Sequence, residues 1–265
     1  MTRLPDAEYL RHIAQDSARF RAVLADCDPG TPVPSCPDWA ARDLLWHLGE
    51  VQHFWGTMLR QRPVGPEDYS HAPVPETLAG LLDYFDEGAR LLLDQLTSVD
   101  PAEETWTWSQ DHTAGFILRR QAHEALIHRL DAELTAGAVT PLDPALAADG
   151  VDEALDVMFG GKPPWGTFTP LPQHVRVDIA DRGESVWVQL GRFTGTDPES
   201  GTHHEDIDDL GVVPDPGTPA DVVLTGPAGA LDAWLWRRGE DTEISVAGDA
   251  EVYDRFRSCV NHPIN

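Results

Sequence analysis

The sequence predicts an α+β protein in which a helical first part precedes a strand-rich second part. Apolar residues recur at helical spacing in four long segments before residue 137. After a stretch rich in Gly and Pro, GGKPPWGTFTPLP, apolar and polar residues alternate as in strands. The length of 265 residues also favours two domains over one. We therefore expect a domain over 1–162 and a second over 163–265.

The first part contains four predicted helices. An amphipathic period covers residues 6–26, 40–60, 77–99 and 114–136. The loop DPGTPVPSCPDW ends the first helix, and Gly137 follows the fourth in the position typical of a helix C-terminus. Shorter helical segments follow around 144–159. Four long helices joined in this way predict a helix bundle.

The second part contains four predicted strands and two helices. HVRVDIAD, SVWVQLGRF, DVVLTG and ISVAG alternate and are rich in β-branched residues, whereas PAGALDAWLWRRG and the closing DAEVYDRFRSCV are helical in pattern. GTHHEDIDD contains His203 and His204 among turn formers and acids. We predict a solvated loop there rather than a metal-binding cluster.

The charge of the chain excludes some classes of partner. There are 45 acidic residues against 19 Lys and Arg, a net charge of −26. This charge repels nucleic-acid phosphates and anionic lipids, so we expect neither nucleic acid nor a membrane as partner. The N-terminus has no signal-peptide pattern and the three cysteines are too scattered for a disulfide framework. We expect a cytoplasmic protein, and the sequence leaves open whether it is a monomer or a homodimer.

Three polar residues on the predicted helices form a candidate metal site. His47 lies three residues after Leu44 and four before Val51, so it shares the inward face of the second helix. Glu124 and His128 are four apart on the fourth helix and lie one above the other. Two imidazoles and a carboxylate match a catalytic zinc site, in which a fourth position stays open for water or substrate.

Spacing alone leaves other interpretations open. Glu and His four apart on a helix often form a solvated surface pair, and an inward His is often a hydrogen-bonded core residue. The string HEALIH is not the zincin motif, because His123 and His128 lie about 140° apart around the helix. Asp131, one turn after His128, is a candidate either to orient that histidine or to form a surface salt bridge.

Several strings resemble the mycothiol-dependent maleylpyruvate isomerase family of actinobacteria. They are TPVPSCPDWAARDLLWHLGEVQHFW, RRQAHEALIHRLDAELTAG, and DVVLTGPAGALDAWLWRRG followed by ISVAGDAEVYDRF, and the likeness covers nearly the whole chain. The resemblance implies a DinB-like four-helix metal-binding bundle followed by a smaller α/β domain distantly like sterol carrier proteins. The basic residues are almost all Arg, which fits GC-rich coding in an actinobacterium.

The resemblance also implies roles for individual residues. His47, Glu124 and His128 match the family's metal ligands, with zinc as the metal and mycothiol as the thiol cosubstrate. In the family an arginine of the C-terminal domain holds a substrate carboxylate, and Arg237 and Arg238 are the candidates here. A basic helix C-terminus that complements the helix dipole is the other interpretation of this pair. The small electrophilic substrate stays open, as does the choice between an isomerase and a transferase.

Two other functions compete with this one. A non-catalytic small-molecule-binding protein would use the sterol-carrier-like domain and a structural metal, but such a metal takes four protein ligands and only three candidates are visible. A DNA-damage role by analogy with DinB-like bundles conflicts with the charge of −26.

Overall fold

The computed structural model describes residues 3–262 and Ile264. It confirms the α+β fold class, with long helices first and a sheet afterwards. The α-helices are α1 Asp6–Ala25, α2 Ala41–Gln61, α3 Leu78–Ser98, α4 Ala114–Ala136, α5 Pro144–Glu153, α6 Ala228–Leu235 and α7 Ala250–Val260. The strands are β1 Gly166–Ile179, β2 Glu184–Thr196, β3 His203–Val213, β4 Val222–Gly226 and β5 Ser245–Gly248, and a π-helical segment covers Ala154–Phe159.

Two compact units divide the chain. One contains Leu4–Leu142 and the other contains the chain from Asp143 onwards. The sequence places this boundary later, after Lys162, where Gly and Pro concentrate. The difference arises from α5, which packs on α6 and therefore belongs with the sheet.

The first unit is built from α1 to α4. Helix α2 packs chiefly on α3, and α1 chiefly on α4, while α2 and α4 are also in contact. Glycines allow the close approach of α2 to α3, since a Cβ on Gly88 would lie 2.8 Å from the carbonyl oxygen of Gly49. Gly137 has a φ of 66° and ends α4 in the left-handed conformation that the sequence predicted. No described helix is long and apolar enough to cross a membrane.

The second unit contains a five-stranded sheet in the order β3-β2-β1-β4-β5. The β1 and β4 strands are parallel, and the other neighbouring pairs are antiparallel. Apolar side chains at every second position of β1 are buried, namely Val175, Val177 and Ile179. This alternation is the pattern that predicted the strand.

The β3 strand corrects one prediction. The segment with His203 and His204, expected to be a solvated loop, pairs with the end of β2 through Thr196 and Gly195. The composition misled the prediction because an edge strand has only one neighbour, so acidic side chains along it remain in water.

Candidate metal centre

The structure brings His47, Glu124 and His128 together at the contact of α2 with α4. Each offers one ligand atom, and the three atoms lie within 4.8 Å of one another. Glu124 Oε1 is 3.2 Å from His128 Nε2 and 3.8 Å from His47 Nε2. The imidazole of His47 is also flanked by Trp39, whose ring centre lies 4.7 Å away. The three residues chosen from their spacing in the sequence therefore lie close together in the structure.

The two donor atoms nearest Glu124 Oε1 lie at separations close to those of a tetrahedral divalent metal site. With bonds of about 2.0 to 2.2 Å, two ligand atoms of a tetrahedral zinc site lie about 3.3 to 3.6 Å apart. The two separations from Glu124 Oε1 bracket that range. Among the described residues, no fourth His, Cys, Asp or Glu joins the group. The group thus offers three protein donors, the number found in catalytic zinc sites, whereas structural sites have four.

Arg120 fixes the orientation of Glu124. Its Nη2 donates to Glu124 Oε2 at 2.9 Å, which leaves Oε1 directed at the histidines. Burial alone would raise the pKa of Glu124, but the positive charge of Arg120 and the bonds from both histidines outweigh burial and hold that pKa well below its ordinary value. Glu124 is therefore an ionised carboxylate, the form that binds a metal.

Asp131 fixes the orientation of His128. The carboxylate is fully buried, and its Oδ2 lies 2.9 Å from His128 Nδ1. An ionised carboxylate only accepts, so Nδ1 carries the proton and Nε2 faces Glu124. Burial lowers the pKa of His128, yet Asp131 and Glu124 raise it to about 9. A metal must displace the Nε2 proton at neutral pH.

Ser35 connects this arrangement to the loop before α2. Its hydroxyl donates to Asp131 Oδ1, so both oxygens of that carboxylate have partners. Asp131 lies in the interior, which excludes the surface salt bridge considered for it.

Comparison with known proteins identifies the family. The profile described as "Mycothiol maleylpyruvate isomerase N-terminal domain" matches residues 10–133, and the profile described as "MDMPI C-terminal domain" matches residues 145–255. The chain belongs to the mycothiol maleylpyruvate isomerase family. All three candidate ligands fall within the N-terminal match. No curated protein gives a significant match in a sequence search.

Solved structures of a mycothiol-dependent maleylpyruvate isomerase share the fold. The chain resembles a histidine-to-alanine mutant of that enzyme with a TM-score of 0.58 and 14% identity, over 94% of this chain and 98% of the other. It resembles a second structure of the enzyme with a TM-score of 0.58, 13% identity and the same coverage. At these identities the likeness shows the common two-part fold of the family.

The two candidate arginines lie in the second unit, just after α6. Arg237 has a φ of 60° and an exposed side chain, and it occupies the left-handed position that ends the helix. Arg238 is half-buried, and its Nη1 donates to the carbonyl of Trp236 at 2.6 Å. The structure thus gives the neighbouring arginines different environments.

Sequence reasoning missed two residues on the α4 face of this centre. Arg120 and Gln121 are both buried, although a charged or amide side chain on a helix usually faces solvent. Their distances along the chain from Glu124, four and three residues, are the signal that could have identified them.

Proposed function

We propose that this chain is a zinc-dependent enzyme that activates a low-molecular-weight thiol, mycothiol, toward a small electrophile. The observation that carries the proposal is the open three-ligand group of His47, Glu124 and His128. Membership of the mycothiol maleylpyruvate isomerase family supports the choice of thiol. An isomerisation and an S-transfer both fit this chemistry.

The residues of the centre have distinct tasks in this proposal. His47, Glu124 and His128 would hold the zinc, which when bound lowers the pKa of a coordinated thiol so that the thiolate is present at neutral pH. Arg120 and Asp131 keep a carboxylate oxygen and an imidazole nitrogen directed at one point. In this proposal the buried charges of Arg120 and Asp131 hold the ligand atoms of Glu124 and His128 in place.

Both candidate reactions begin with the same step. The thiolate sulfur adds to one carbon of a conjugated cis double bond, and the adjacent carbonyl takes up the electron pair. In an isomerisation the resulting single bond rotates, and the thiolate leaves with its electron pair as the trans double bond forms. In an S-transfer the carbon–sulfur bond persists and a proton from water completes the product. Recovery or consumption of mycothiol on incubation with maleylpyruvate distinguishes the two.

We assign the substrate-carboxylate contact to Arg238 rather than Arg237. The half-buried setting of Arg238 restricts its side chain, which favours a fixed, forked contact with a carboxylate. Replacing Arg238 with Ala is expected to raise KM for a dicarboxylate substrate. Replacing Arg237 with Gly should leave KM unchanged and stabilise the fold by about 1 kcal/mol, because Gly adopts a positive φ without strain. The opposite pattern of KM values would reverse the assignment.

The central test combines metal analysis with thiol binding. Wild-type protein purified without chelator is expected to contain close to one zinc per chain and to bind mycothiol in calorimetry only when loaded. His47→Ala should lose both properties. His203→Ala is the matched control, since that histidine lies at the exposed end of β3 and should retain both. Mycothiol binding that is indifferent to metal would instead favour the small-molecule-binding protein with a structural metal.

A further inference from the structure

Gln121 is a buried amide on the metal-binding face of α4. It precedes Glu124 by three residues and His128 by seven, so the three side chains lie within about 60° of one another around the helix. Gln121 is 1% exposed. Neither its Oε1 nor its Nε2 has a hydrogen-bond partner among the residues that the structure describes.

An unpartnered buried amide is costly, and native proteins contain few of them. Removing such a donor and acceptor from water without a replacement destabilises the folded state, and an apolar side chain of the same shape would avoid that cost. The position of Gln121 on the α4 face therefore points to a partner that arrives with a ligand.

A second buried glutamine serves as an internal comparison. Gln52, on α2, is 0% exposed, and its Nε2 donates to Ser17 Oγ at 2.8 Å. It follows His47 by five residues, so it lies about 140° away around α2 and faces α1. Gln52 Oε1 has no hydrogen-bond partner among the described residues, but its Nε2 bonds two helices together, whereas neither polar atom of Gln121 has a partner there.

We propose that Gln121 binds a secondary amide of the thiol cosubstrate and so selects amide-bearing thiols. A primary amide offers one acceptor and two donors, which match the N–H and C=O of a secondary amide. The rise along α4 from Gln121 to Glu124 is about 4.5 Å. In mycothiol, the amide groups next to the cysteine-derived thiol are a few bonds from sulfur and span a similar distance. This inference rests on the proposed function, because it takes the sulfur to be held at the His47, Glu124 and His128 group.

The test replaces Gln121 with Met, which keeps the length and removes both polar groups. With zinc-loaded protein, the Kd for mycothiol is expected to rise about tenfold, the equivalent of about 1.4 kcal/mol for the lost hydrogen bonds. The affinity for 2-mercaptoethanol, which has no amide, should stay unchanged, as should the zinc content. The thermal midpoint of the ligand-free variant should rise, because an unpartnered buried amide is gone. Gln121→Leu provides a second apolar variant if Met packs poorly.

Gln52→Met is the matched control. It should lower the thermal midpoint through the lost bond to Ser17 and leave the Kd for mycothiol unchanged. An unchanged mycothiol Kd in Gln121→Met would overturn the inference, and so would an equal loss of affinity for both thiols or a lowered thermal midpoint. If wild-type protein binds zinc but no mycothiol, the proposed function itself fails, and this outcome is separate from the others.

Discussion

The two buried sides of α4 both carry charged residues, but they are organised differently. On the side facing α1, Glu133 accepts hydrogen bonds at both oxygens, from Arg19 and Arg129 and from Thr140. Arg129 also pairs with Asp16 of α1 at 2.9 Å. Both oxygens of Glu133 therefore have partners within the fold, although Asp16 Oδ2 has no hydrogen-bond partner among the described residues.

On the side facing α2, polar atoms from two helices converge. Ligand atoms of Glu124, His128 and His47 point to a common position, and both amide atoms of Gln121 lack partners among the described residues. One helix thus carries a charged network with α1 and, on its other side, the three candidate ligands and an amide without a partner among the described residues. Burial is common to both sides, and Glu133 and Gln121 differ in whether their polar atoms have hydrogen-bond partners among the described residues.

The largest expected effect is on stability, from Glu133→Ala. Removing this carboxylate leaves Arg129 with one acidic partner fewer in the interior. We expect the free energy of unfolding to fall by about 3 kcal/mol, because the buried Arg129 keeps only Asp16 as an acidic partner among the described residues and the Thr140 amide loses its acceptor. Urea unfolding measures this, with Glu8→Ala as a control that removes only the exposed pair with Arg11 and changes stability by less than about 1 kcal/mol. A zinc Kd that changes with Glu133→Ala would contradict the separation of the two sides.

The next effect is on zinc affinity, from Asp131→Ala. Without the carboxylate, His128 loses the acceptor that fixes its ring and its Nδ1 proton. We expect the zinc Kd, measured by chelator competition, to rise about 10- to 100-fold. Asp131→Asn keeps an acceptor without the charge and should give an intermediate value. Equal zinc affinity in wild type and Asp131→Ala would show that the fold alone orients His128.

The response to acid sharpens the comparison further. Burial would raise the pKa of Glu133, but the bonds from Arg19 and Thr140 and the charge of Arg129 lower it below its ordinary value of 4.5. Its contribution to stability is therefore present above about pH 4.5 and is lost as the pH falls through the lowered value. The comparison uses a His47→Ala background, which lacks one candidate metal ligand, so that metal binding does not contribute to stability. In that background, the loss of unfolding free energy caused by Glu133→Gln should become smaller as the pH falls. If the loss of unfolding free energy does not change with pH, the charge of Glu133 is not the source of its stabilising effect.

Much of the fold follows from local patterns. The four long helices have strong apolar periods, and Gly137 marks the end of α4 where only a residue tolerant of positive φ fits. β3 was missed because its acidic residues satisfy the rules for a loop, and only its pairing with β2 makes it a strand. The boundary between the two compact units, after Leu142, cannot be read from local sequence for a similar reason, since it depends on the packing of α5 on α6.

The candidate site was only partly visible in the sequence. His47, Glu124 and His128 follow from helix geometry, and the family resemblance adds their role. For Gln121 the only signal was its position three residues before Glu124, because glutamine is common on exposed helix surfaces. The residue stands out only once both sides of α4 are known to be buried. Because both sides of α4 are buried, the sequence alone does not distinguish its charged residues that stabilise the fold from its candidate ligand-binding residues.

The smallest expected effect comes from Ser35→Ala, which tests how far the α2 side of α4 depends on the preceding loop. The hydroxyl donates to Asp131, and Asp131 holds His128. One charge-assisted hydrogen bond contributes about 1.5 to 3 kcal/mol at most, and water can replace part of it at a half-buried serine. We therefore expect a zinc Kd that rises only a few-fold, in the same direction as Asp131→Ala.

Combining the two substitutions should add nothing to Asp131→Ala alone, because Ser35 acts on the metal ligands through that carboxylate. Additive effects would show instead that the loop reaches the centre by a separate route, such as the packing of Trp39 on His47.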